Sequence, residues 1–232
     1  MPTDPLVALV ATADAVLFDF DGPICDVFAG MPAPAVAKTL SDIVAKQAPE
    51  FAHEAEATDD PMEVHRLSRL GGPPLLAAVE SALTAAEVAA VAVAGPPVAG
   101  AVLSLKAAHS TGRRVAVVSN NSTKCVKAFL AIHGLDGFVH EVVGRPELNP
   151  ELMKPSPHPL LLASTVLGVA PERSVLVGDS VTDVEAAKAA GMEVIGFANK
   201  PPKRTTLPAA GADVVIASME VLANALARQI PA

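Results

Sequence analysis

AVLFDFDGPICD, residues Ala15 to Asp26, decides how the chain is read. Ala15 to Phe18 is a short run of apolar residues with no polar alternation. That is the pattern of a strand buried on both faces of a parallel sheet. The run ends in two acids, Asp19 and Asp21, separated only by Phe20. Like charges at the end of a buried strand carry an electrostatic cost, so the fold must bring something that offsets them.

Working outward, Arg114–Val118, Ser174–Val177 and Glu193–Phe197 read as strands of the same kind, with Asp213–Ile216 as a fifth. Helical spacing fills the intervals over Val98–His109, Thr123–Ile132, Pro157–Leu167 and Asp183–Ala190, and glycines follow these segments as C-terminal stops. Alternation of this kind predicts an α/β fold, a doubly wound, Rossmann-like parallel sheet. Residues 25–97 break the rhythm. They hold no strand pattern, are rich in Ala, Glu and other helix formers, and are punctuated at Gly71-Gly72-Pro73-Pro74 and Gly95-Pro96-Pro97. They predict a helical cap of three or four helices inserted into a core domain made of residues 1–24 and 98–232.

Composition narrows the function. The chain has 232 residues, 51% of them hydrophobic, with no Trp or Tyr, so the core is built from small aliphatic side chains. A formal net charge of −8 argues against a broad nucleic-acid surface or an acidic membrane as partner. Two distant cysteines, Cys25 and Cys125, make no disulfide framework, and the N-terminus lacks the basic segment of a signal peptide. The apolar stretch from Val88 to Leu105 is interrupted by Pro96-Pro97. The expected location is the cytoplasm.

Ligands of such sheets bind beyond the carboxyl ends of the strands. The residues standing there are Asp19 and Asp21, then Ser119 and Asn120, then Gly178, Asp179, Ser180 and Asp183; Lys154 precedes a proline-opened helix start. Taken singly, each has an ordinary explanation as a turn, a helix cap or a solvated charge. Together, as Asp19-Phe20-Asp21-Gly22, Ser119-Asn120, Lys154-Pro155 and Gly178-Asp179-Ser180-Val181-Thr182-Asp183, they resemble the ordered motifs of the haloacid-dehalogenase-like superfamily from about residue 14 to the end. The resemblance points to its branch of capped phosphatases, the phosphoglycolate phosphatase and β-phosphoglucomutase type.

That resemblance implies roles. Asp19 would be the nucleophile that forms an aspartyl-phosphate, and Asp21 the acid and base serving leaving oxygen and water. Mg²⁺ would be held by Asp19 and Asp179 through side chains and Asp21 through its backbone carbonyl, with Asp183 as a further ligand or an acceptor orienting one. Gly22, Ser119, Asn120 and Lys154 would bind phosphate. In the insertion, His65, Arg66 and Arg69 are the candidate contacts to the rest of a small phosphorylated metabolite, and His158 lies four residues after Lys154. The expected activity is Mg²⁺-dependent phosphomonoester hydrolysis. The alternatives are a phosphomutase and, from another class, a phosphate-accepting regulator without turnover. A receiver-type regulator has no need of Asp21. A nicotinamide-binding site is excluded because FDGPIC lacks the G-x-G-x-x-G turn.

Overall fold

A computed structural model of the protein describes residues 4–228. Six parallel strands form one sheet: β1 (Ala15–Phe18), β2 (Arg114–Val118), β3 (Glu141–Val143), β4 (Ser174–Gly178), β5 (Glu193–Phe197) and β6 (Val214–Ile216), in the order β3-β2-β1-β4-β5-β6. The order reverses between β1 and β4, the position where open α/β sheets leave a crevice for ligands. The pleat sorts β1 between two cores. Val16 and Phe18 pack under α1 (Pro5–Thr12), α6 (Ala101–Ser110), α7 (Thr123–Ile132) and α11 (Met219–Leu226). Ala15 and Leu17 pack under α8 (His158–Leu167), α9 (Val181–Ala190) and α10 (Lys203–Ala210). A strand with no wet face has no reason to alternate in polarity.

The structure differs from the sequence reading in detail. β3 is a sixth strand that three residues at a sheet edge do not announce, and α1, α10 and α11 are additional helices. The last strand starts at Val214, because Asp213 turns its carboxylate back to Val194 N at 2.8 Å and Lys188 Nζ at 2.6 Å. α6 starts at Ala101 rather than Val98, because Val98 N donates to Ile24 O at 2.9 Å and holds that stretch out of the helix. α9 starts at Val181, two residues before Asp183.

Between β1 and α6 lie four α-helices and no strand: α2 (Ala33–Gln47), α3 (Ala52–Glu56), α4 (Pro61–Ser68) and α5 (Pro73–Val91). They enclose a hydrophobic cluster of their own, with Leu40, Val44, Val64, Val79 and Leu83 fully buried. α5 is long and apolar enough, by length and composition, to cross a membrane, yet it packs against α2, α4 and α7 and buries Glu80 and Glu87.

Phe20 explains the spacing of the two acids. Its ring turns into the core and meets Phe129 edge-on, with centroids 5.4 Å apart. Anchoring Phe20 there leaves its neighbours Asp19 and Asp21 for the opposite, open side. Phe20→Ala is therefore expected to cost roughly 3–5 kcal/mol of stability, read as a lower denaturant midpoint with an unchanged slope.

Candidate active site

The site is assembled by tight turns at the strand ends. After β1 the chain folds back at once: Cys25 N donates to Phe20 O at 2.9 Å, and Gly22 N to Cys25 O at 2.7 Å. Gly22 sits at φ +109°, and a Cβ there would collide with the Asp179 carboxylate. Only glycine satisfies both the dihedral and the close approach. After β4 the packing is as close, since a Cβ on Gly178 would fall 2.5 Å from that of Asp183.

Ser180 and Asp183 then form a reciprocal capping box that opens α9. Asp183 Oδ2 takes the backbone N–H groups of Asp179 and Ser180 at 3.1 and 3.0 Å and the Ser180 hydroxyl at 2.6 Å. Its other oxygen, Oδ1, accepts from Lys154 Nζ at 2.6 Å. Asp183 thus holds both the turn that carries Asp179 and the lysine. Lys154 Nζ also donates to Asp19 Oδ1 at 2.7 Å and to Val118 O at 3.1 Å. Asn120 fixes the lysine's backbone from both sides: Lys154 N donates to Asn120 Oδ1 at 2.9 Å, and Asn120 Nδ2 donates to Lys154 O at 3.1 Å.

Asp19, Lys154 and Asp183 are all buried. Burial, helped by the charges of Asp183 and Asp179, pushes the Asp19 carboxyl well above its usual range, against the pull of Lys154. Burial would lower the Lys154 ammonium, but Asp183 and Asp19 outweigh it and hold the group charged. Burial also raises Asp179, with Lys203 and Asn199 opposing. Asp183 ends below its ordinary range, because Lys154 and Ser180 overcome its burial.

Asp19 Oδ1 receives Phe20 N as well as Lys154, each at 2.7 Å, whereas Oδ2 receives no hydrogen bond among the described residues. Asp21 accepts Val27 N at 3.0 Å, and burial pushes its carboxyl up to about 6. A group near that value both gives and takes protons at neutral pH. Carboxylate oxygens of Asp19, Asp179 and Asp183 lie within 4.8 Å of one another. Hard oxygen donors, a raised Asp19 and a glycine cradle around Asp179 fit a hard divalent cation such as Mg²⁺. Asp19 and Asp179 have the freer oxygens.

These residues line a cleft of about 590 Å³ that also takes in Ser119, Asn120 and, from the helical segment, Thr58, Asp59, Asp60 and Met62. Gly22 lines the adjoining cavity instead. The three residues expected to touch substrate from the insertion lie elsewhere. His65 is fully buried, its Nε2 2.7 Å from Glu80 Oε2 but off the line of an aligned hydrogen bond. Arg66 donates to Lys154 O at 3.1 Å, and Arg69 pairs with Glu151; both line a separate cavity of about 350 Å³. Helical spacing put 65 and 69 on one face, but α4 ends at Ser68, so His65 is buried while Arg69 stays exposed. His158 is exposed at the start of α8, outside the cleft.

Sequence reasoning missed two groups. Lys203 at the start of α10 and Asn199 in the loop before it reach Asp179 Oδ2, the first as an ion pair, the second at 2.9 Å, an approach that no local pattern announces. The other group is a buried ionic network. Arg145, just beyond β3, donates to Glu80 at 2.7 Å, to Glu87 at 2.7 Å and to Asn120 O at 3.0 Å. Glu87 in turn accepts Asn121 Nδ2 at 3.2 Å and Ser122 N at 2.9 Å, while Asn121 N donates to Ser119 Oγ at 3.0 Å. The sequence signal was present: two acids seven residues apart, hence on one face of an otherwise apolar helix.

With the geometry in view, the comparisons with known proteins are consistent. The haloacid dehalogenase-like hydrolase family matches residues 13–191. The chain belongs to this family. A phosphoglycolate phosphatase of Salmonella paratyphi A is 37% identical over 93 residues, covering 40% of this chain and 36% of that protein. A plasmid phosphoglycolate phosphatase of Cupriavidus necator is 38% identical over 135 residues, covering 55% of each. The matched stretches span between about a third and just over half of those relatives. A crystal structure of a predicted phosphoglycolate phosphatase from Haemophilus somnus superposes with a TM-score of 0.65 at 18% identity, over 92% of this chain and 97% of that one, so the family fold extends over nearly the whole chain.

Two outcomes follow from the ionic network. Arg145→Met leaves two buried carboxylates without their cation and should cost roughly 3–5 kcal/mol in chemical denaturation. Burial alone would raise Glu80, but the approach of His65 and the bonds from Arg145 bring it down to about 2 from an ordinary 4.5. The folded value is the lower one, so this stabilisation is complete above about pH 4.5 and fades as pH falls toward about 2. Thermal unfolding followed from pH 5 to pH 2 should show a steep decline that Glu80→Gln flattens.

Proposed function

We propose that the protein is a Mg²⁺-dependent phosphomonoester hydrolase acting on a small phosphorylated metabolite, with Asp19 as nucleophile. The observation that carries this reading is the convergence of Lys154, Asp19, Asp179 and Asp183 at the strand tips, with one Asp19 oxygen held and the other open to the cleft. The relatives named as phosphoglycolate phosphatases support the reaction class.

In this mechanism, Lys154 and the Phe20 N–H hold Asp19 Oδ1, so that Oδ2 faces the phosphorus atom. Oδ2 forms the P–O bond of an aspartyl-phosphate while the ester P–O bond breaks. Asp21 donates its proton to the departing oxygen. It then takes a proton from the water that attacks the aspartyl-phosphate, so phosphate leaves and Asp19 is restored. Ser119, held by Asn121, and Asn120 bind phosphate oxygens. Asp183 keeps Lys154 charged and in place. Mg²⁺, held by Asp19, Asp179 and the Asp21 carbonyl, would neutralise charge on the phosphoryl group. The helical segment 25–97 acts as a cap that limits water at the site.

Asp19→Asn should abolish phosphate release and the hydroxylamine- and alkali-labile phosphoenzyme together. Asp21→Asn should lower turnover by about 10²–10⁴-fold while still forming that phosphoenzyme with an activated aryl phosphate, whose leaving group needs no proton. Rapid-quench phosphate assays check both, and persistent release after the Asp19→Asn substitution would reject Asp19 as nucleophile.

A further inference from the structure

The charge of the cleft has a consequence for the substrate. Among the described residues that line it are six carboxylates, Asp19, Asp21, Asp59, Asp60, Asp179 and Asp183, and a single cation, Lys154. Lys154 is already shared between Asp19 and Asp183. One divalent ion and one phosphoryl group belong to the strand-tip acids. Asp59 and Asp60 remain on the opposite wall, where the organic half of an ester would lie.

Neither of these cap acids is neutralised by a cation. Both are exposed, and neither has an ion-pair partner among the described residues. Asp60 caps α4, its carboxylate accepting from Met62 N at 2.8 Å. Asp59 makes no side-chain hydrogen bond among the described residues. The nearby basic groups are turned away: Arg66 to the Lys154 carbonyl, Arg69 to Glu151, Lys203 to Asp179 from the adjoining cavity. The rest of the cap wall is Phe28, Ala33, Pro61 and Met62, with the hydroxyl-bearing Thr58.

Resting on the hydrolase reading above, we infer that the substrate is a phosphomonoester whose organic half carries hydroxyl or amino groups and no second anion, and that Asp59 and Asp60 set this selectivity. A carboxylate or second phosphate on the organic half would face like charge from Asp59 and Asp60, with no side-chain cation on that wall to meet it. A neutral polyol meets acceptors there, and an ammonium meets a counter-charge. This sets the chain apart from the substrate in its relatives' names, since phosphoglycolate carries a carboxylate.

The test is steady-state hydrolysis by the full chain with Mg²⁺ on three esters of similar size: glycerol 1-phosphate, O-phosphoethanolamine and 2-phosphoglycolate. The expected kcat/KM is lowest for 2-phosphoglycolate, by about tenfold or more, with the gap narrowing at high salt as screening shortens the reach of the two acids. Asp59→Lys should raise the 2-phosphoglycolate value and lower that of phosphoethanolamine, and Asp60→Asn, which keeps a capping side chain, should shift the ratio the same way. Equal or better hydrolysis of 2-phosphoglycolate by the unaltered chain, or a ratio unmoved by Asp59→Lys, overturns the selectivity while leaving the hydrolase reading intact. Release from none of the three, nor from p-nitrophenyl phosphate, overturns the hydrolase reading and this inference with it.

Discussion

The buried ammonium of Lys154, shared between Asp19 and Asp183, is the contact on which the rest of the site depends. A strand that ends inside a protein in acidic residues is unstable by itself, because each carboxylate loses its water without gaining a partner. One lysine between two of them leaves a single net negative charge, and Asp179 adds a second, countered by Lys203 from outside. The arrangement is compact because Gly22 and Gly178 let neighbouring turns approach more closely than any side chain would allow. The residual charge and the clustered oxygens are what would suit the site to a divalent cation.

A second buried charge cluster ties the helical segment to this centre. Glu80 and Glu87 on α5 meet Arg145 from the sheet edge, and the same Glu87 holds Asn121 and Ser122, next to the Ser119 hydroxyl. Breaking either the helix packing or the ion pairs would therefore disturb the loop proposed to bind phosphate. Buried ion pairs contribute little net stability compared with apolar packing, but they fix register, since each carboxylate accepts only well-aligned partners. That suits an interface that must set a loop to within a fraction of an ångström.

The two walls of the cleft have different origins. The strand-tip wall follows from the sheet order. The other wall comes from the loop before α4, where exposed Asp59 and Asp60 are under little packing constraint. Selectivity can change there without altering the core, the usual division between a rigid scaffold and the loops it carries.

The sequence by itself determined the sheet, its two covered faces and the strand-end residues. Continuous β-branched runs have one common use, and the Asp19–Asp21 pair, Ser119, Lys154 and the Asp179–Asp183 pair are separated along the chain by elements that return to the same edge. It also indicated that residues 25–97 would hold helices and no strand; the helices lie within 33–91. It could not show β3, whose three residues carry too little pattern, nor which way the helical segment would turn. That orientation rests on contacts far apart in sequence: Arg145 with Glu80 and Glu87, Arg66 with the Lys154 carbonyl, Arg69 with Glu151. Tertiary structure alone decided that His65 is buried, that Arg66 and Arg69 line a separate cavity and that Asp59 and Asp60 line the cleft, because helical periodicity says which residues share a face and only long-range packing says what that face meets.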